Sequence, residues 1–161
     1  MASTSRTPGT DSGTFDYFVE AVMRPQFGQD NSADKNAILN AEGTQFSEND
    51  STLVAGVEGS QYAIGYFGYA YYIEESDRLN ILNIEGVEPT AETAENGEYP
   101  LSRPLFIYSD ATVMQAKAQV ADFINFYLSY VNEEVIDVGY FPASEAALSQ
   151  ARQTWLDAMG Q

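Results

Sequence analysis

Residues 7–23 read Thr7-Pro8-Gly9-Thr10-Asp11-Ser12-Gly13-Thr14-Phe15-Asp16-Tyr17-Phe18-Val19-Glu20-Ala21-Val22-Met23. The first part is a turn rich in glycine and hydroxyls. The second carries Phe15, Phe18, Val19 and Val22 at helical spacing, so one of its faces is apolar. Ser12 or Thr14 suits the N-cap, Asp16 complements the positive end of the helix dipole, and Pro25 is expected to end the helix. Such a turn aims backbone N–H groups and hydroxyls at one point, where the dipole adds partial positive charge. A tetrahedral oxyanion can be held there without many basic side chains. Ser12 and Thr14 would donate hydroxyl protons, Gly13 would let the backbone approach, and Arg6 upstream could make a forked contact. The plainer reading is an ordinary capped loop, because Ser and Thr caps are common.

Outward from this turn, residues 26–47 are polar and read as a long surface loop. A short helix is expected over Glu48 to Glu58, with Leu53, Val54 and Val57 inward. Tyr62 to Phe67 reads as a strand covered on both faces. Gly68 to Ile73 reads as a short helix or turn, Leu79 to Ile84 as another strand, and Pro89 to Glu98 as a capped turn. Pro100 to Tyr108 is an extended segment whose prolines bar it from the middle of a ladder. Ala111 to Val131 is the clearest helix, with Val113, Ala116, Val120, Phe123, Tyr127 and Val131 on one face. A further helix runs from Ser144 to Met159 with Leu148, Ala151, Trp155 and Met159 aligned, and Gly139 is a C-cap candidate. Helices alternating with short apolar strands predict an α/β fold.

The chain has 161 residues, 7 Lys plus Arg against 24 Asp plus Glu, and a net charge of −17. Such acidity opposes nucleic acid and anionic lipid, which are bound through basic contacts to phosphate. There is no Cys and no His, so thiolate chemistry and the commonest general base are missing, and any metal would need oxygen ligands. No run approaches the ~20 apolar residues of a membrane span. Met1-Ala2-Ser3-Thr4-Ser5 lacks the pattern of a secretion signal and reads as an artificial start or an internal cut. Asp30, Ser32, Asp34 and Asn36 imitate a calcium loop, but Lys35 and Ala41 occupy its glycine and glutamate positions. Asn49-Asp50-Ser51 matches a glycosylation acceptor and carries little weight. Glu74 with Glu75, and Glu133 with Glu134, read as solvated surface. The aromatic run from Tyr66 to Tyr72 reads as packing at a strand-to-helix corner, with Gly65 and Gly68 marking close backbone approach.

Three segments, Gly9 to Phe18, Ala63 to Tyr72 (AIGYFGYAYY) and Tyr99 to Tyr108 (YPLSRPLFIY), resemble in order and separation the periplasmic phosphate-binding protein of the phosphate ABC transporter. The form of the turn is closest to the cyanobacterial type. The resemblance implies a lobe of the type II periplasmic-binding-protein class, with a mixed sheet flanked by helices and further C-terminal helices. It implies a two-lobed receptor that closes on one phosphate ion and delivers it to a membrane permease, with no enzymatic activity and no cofactor. Ser12, Gly13 and Thr14 carry over as one wall of the site. Many members place an Arg four residues before that Ser; here the position is Pro8, and Arg6 fits only with a gap. Arg103 in Ser102-Arg103-Pro104 is taken as structural. Only the second half of the family's chain is matched. The other half would bring further donors and an Asp that accepts the proton of phosphate, a role for which Asp11 is the candidate here.

On this reading residues 1–98 form the second-lobe segment, and residues 99–161 return toward the first lobe. The C-terminal helices then need a complementary half, or a second copy, to cover their apolar faces. The expected location is periplasmic. Two other readings differ in class: an assembly fragment with little ligand affinity, and a phosphoryl-transfer enzyme using Ser12 as nucleophile. The latter lacks an evident base or Lewis acid.

Overall fold

The structure, a computed structural model, describes residues 4–28 and 31–160. Met1, Ala2 and Ser3 of the start, Gln29 and Asp30 of the 26–47 segment, and thus the first position of the calcium-like run, lie outside the described residues. The chain divides into two compact units, Met1–Leu82 and Asn83–Gln161.

The first unit is built on three strands, β1 (Thr4–Pro8), β2 (Thr44–Ser47) and β3 (Ala63–Gly65), in the order β2-β1-β3. Where a mixed sheet was expected, both pairings are parallel. The central strand is the polar stretch TSRTP, which the sequence reading placed in the chain start and the turn. Pro8 is tolerated because odd residues bond to the β2 side (Ser5 N to Gly43 O, Gly9 N to Ser47 O) and even ones face β3. Pairing with β3 stops at Arg6 opposite Gly65, so no ladder bond is lost at the proline. β3 is therefore an edge strand, not one covered on both faces, and Ile64 is half exposed.

After the turn, α1 (Gly13–Phe18) passes into a π-helical turn over Val19–Met23 and then α2 (Arg24–Gln26). Pro25 does not end the helix. The wide turn precedes it, where a regular helix would set the proline ring against the carbonyl of Ala21. The expected loop over 26–47 is in fact α3 (Asn31–Leu39) followed by β2. Ile38 of α3 closes a core with Phe15 and Val19, with Phe18 and Met23 packed against it. Each such buried side chain contributes roughly 1.5–3 kcal/mol. α4 (Asp50–Glu58) buries Leu53 and Val54 and lies on β1 and β3. Its N-cap is Asn49, whose Oδ1 accepts the Thr52 amide at 3.2 Å, so the glycosylation-like asparagine serves as a cap. Gly65 is the close approach expected of it, since a Cβ there would stand 2.8 Å from Val57 Cγ2; Gly68 would meet only ordinary contact. Tyr66 stacks on Phe18 with centroids 4.1 Å apart, before α5 (Tyr69–Glu74).

Leu79 to Ile84, which begins in the first unit and ends in the second, forms no strand. Ile84 instead bridges Val87 across Glu85 and Gly86, with φ of 53° and 84°, a turn that requires positive φ at both central residues. α6 (Ala91–Glu95) is closed by a capping box between Thr90 and Thr93. Pro100 to Tyr108 pairs with no strand, and Leu105, Phe106 and Tyr108 are exposed. The long helix is broken: α7 (Ala111–Ala116) and α8 (Ala118–Asp137) meet at Lys117, which is extended. α9 (Glu145–Met159) follows, capped by Ser144. Met114, Ala121, Ile124 and Leu128 form the core, packed against Ala151, Trp155, Ala158 and Met159. Of the apolar stripe read along this segment, Val113, Phe123 and Tyr127 are exposed, while Val120 packs against the core.

Candidate functional site

In the sheet order β2-β1-β3, the chain leaves β1 to one side to make β2, then returns past it to make β3. The carboxyl end of β1 is thus the point at which open α/β sheets form a ligand crevice. The turn 9–14 lies there. Ser12 N donates to Gly9 O at 3.1 Å, closing it. Ser12 is the N-cap, with φ −88° and ψ 130°, and its Oγ accepts the Thr14 amide at 3.1 Å. That bond uses a lone pair, and the Ser12 hydroxyl proton remains to be donated. Asp16 stands in the first turn, as expected, and pairs with Lys35 at 2.9 Å.

Asp11, Ser12, Gly13 and Thr14 are brought together in this one turn. Asp11 and Gly13 are exposed; Ser12 and Thr14 are half-buried. Arg6 is placed apart from them. It lies in β1, where its side chain fills the space left by the missing Cβ of Gly56, and its Nη1 donates to Ser5 O at 3.4 Å, toward the opposite end of the strand. Among the other acidic candidates, Asp34 is fully buried, faces Arg24 at 3.5 Å and accepts the Lys35 amide at 2.6 Å. Glu75 pairs with Arg78, and Glu133 and Glu134 are exposed.

A residue that sequence reasoning missed is Glu48. It follows β2, so parallel register delivers it to the same sheet end as the turn, and its Oε1 accepts the Asp11 amide at 3.4 Å. No signal for it was visible while β2 was read as loop. A second concavity of about 520 Å³, between α6 and Pro142-Ala143, is lined by Glu92 and Glu95, the wrong charge for an anion.

A parallel lobe with hydrogen-bond donors at its switch point is the architecture of a small-ligand-binding α/β protein. A PBP superfamily domain matches residues 2–130, and the chain belongs to that superfamily. It is 42% identical over 146 residues to Protein SphX of Synechocystis sp., covering 88% of this chain and 40% of the relative. It is 35% identical over 139 residues to the Phosphate-binding protein PstS of Staphylococcus epidermidis, covering 83% and 38%. The structure of a possible phosphate binding protein from Planctomyces limnophilus superposes with a TM-score of 0.70 at 34% identity, covering 97% of this chain and 54% of that one. The chain therefore spans about two fifths of the length of these curated relatives. The resemblance read from the three segments holds, as does the α/β fold it implied.

Proposed function

We propose that this chain binds inorganic phosphate at the turn 9–14, as part of the solute-binding component of a phosphate ABC transporter working outside the cytoplasmic membrane with a permease. The observation that carries the reading is the Ser12-capped turn at the carboxyl end of the central strand, in a chain whose relatives include proteins named for phosphate binding. Ser12 and Thr14 donate hydroxyl protons, Gly13 lets the anion reach the backbone, and Asp11 accepts the proton of hydrogen phosphate. Arg6 joins them only by leaving Gly56, which R6Q would reveal as weaker binding. A binding role, rather than phosphoryl transfer from Ser12, agrees with a chain that holds neither His nor Cys to serve as base or nucleophile.

Titration calorimetry tests the reading. S12A/T14A should weaken phosphate binding roughly thirtyfold while helical circular dichroism stays nearly intact, two neutral hydrogen bonds being worth ~1 kcal/mol net each. Unchanged affinity in the double variant would falsify the assignment.

The span of only 38–41% of the SphX and PstS relatives favours a second reading: an assembly fragment that gains affinity from a complementary half. In that reading the portion from residue 99 onward belongs to the other lobe, and the exposed Leu105 to Tyr108 and outer face of α8 are covered by it or by a second copy. Millimolar binding by this chain, made tight on adding the missing half, would select this reading.

A further inference from the structure

The proposed anion turn already holds a negative charge. Glu48 reaches over Gly9 so closely that a Cβ on that glycine would collide with both carboxylate oxygens, and Oε1 accepts the Asp11 amide at 3.4 Å. The placement comes from the sheet: Gly9 N donates to Ser47 O at 2.9 Å, one residue before the carboxylate. Gly9 itself is buried, so the two chain segments are pinned side by side. No basic side chain neutralises Glu48 among the described residues. Lys35 is committed to Asp16, Arg24 to Glu20 and Asp34, and Arg78 to Glu58, Glu75 and Asp77, while Arg6 lies against Gly56 and donates to Ser5 O.

We propose that Glu48 is a built-in rival of the ligand, a tethered carboxylate that occupies part of the turn and weakens its hold on oxyanions. The inference rests on the phosphate-binding reading above. The carboxylate takes an amide hydrogen bond that an incoming anion would otherwise use, and its charge repels the anion at short range. Occupancy of the turn then depends on displacing Glu48. Affinity is set low in this chain by a residue outside the Ser-Gly-Thr motif.

The test compares wild type, E48Q and S12A/T14A by titrating inorganic phosphate in a calorimeter at low and high salt. Gln keeps the acceptor oxygen for the Asp11 amide, so the turn keeps its shape and the melting temperature should hold. E48Q is expected to bind roughly fivefold more tightly than wild type at low ionic strength. Near 1 M NaCl, where screening reaches ~3 Å, the gap should shrink to within roughly twofold. Equal or weaker binding by E48Q, with S12A/T14A still impaired, overturns the role of Glu48 and leaves the site standing. A gap that survives high salt also overturns it, because charge would not be its cause. If S12A/T14A binds like wild type, or if none of the three binds, the site reading falls and this inference with it.

Discussion

Tyr66 shows how one side chain's surroundings become measurable. Its ring lies on Phe18, and burial pushes its hydroxyl well above the ordinary tyrosine value of 10.0. Above that value the unfolded chain releases a proton that the folded chain still holds, so stability falls as pH climbs past 10.0. Y66F should therefore flatten the alkaline part of a melting-temperature profile, and a profile identical to wild type would contradict the burial. Asp34 makes a second case. It was read as part of a failed calcium loop, yet it is fully buried against Arg24 and the Lys35 amide. D34A should cost roughly 1–3 kcal/mol in urea unfolding, because it strands donors that the carboxylate satisfies. What made Asp34 illegible is that its partner is ten positions away, on a helix expected to have ended. Ser12 was legible because its role is local: a cap and the amide it serves are two residues apart.

Among the helices, local signals were read well and facing was not. The start of α9 after Ser144, Gly139 at φ 77° after α8, and the alignment of Ala151 with Trp155 and Met159 all follow from short-range pattern. α8 carries two apolar stripes, and a 3.6-residue period cannot say which one meets α9. The structure buries Ala121, Ile124 and Leu128 and leaves Phe123 and Phe126 outside. L148A, at the buried seam, should lower stability by roughly 2–4 kcal/mol in denaturant titration. F123S should leave the midpoint within about 0.5 kcal/mol, the ordinary range for a surface change. The break at Lys117 had no signal, since neither Gly nor Pro stands there. β1 was missed because its polar stretch ending in Pro8 carries no apolar strand pattern, and only the pairing on each side shows why the proline is harmless.

Taken together, the two units leave many large apolar side chains in solvent, including Leu105, Phe106, Tyr108, Phe123 and Phe126. Apolar exposure on this scale invites association. Sedimentation velocity should show association that grows with protein concentration, and F106S/Y108S or F123S/F126S should reduce it. A monodisperse monomer up to millimolar concentration would speak against that. The class of fold was legible from three short segments, and the Ser12 cap of the turn was legible because its partner is local. The sheet was not, because parallel strands are defined by partners far off in sequence, as Ser5 is opposite Thr44 and Thr4 opposite Ala63. That distance has a consequence for how the first unit comes into being. β1 leaves the ribosome ahead of both its neighbours and cannot be tied down until each has been synthesised. Until then the five residues of β1 wait as loose chain, and the Ser12-capped turn beyond them has no floor. A protease cut or an early stop anywhere before Gly65 would leave β1 without its full set of partners, so the unit is assembled late and in one step.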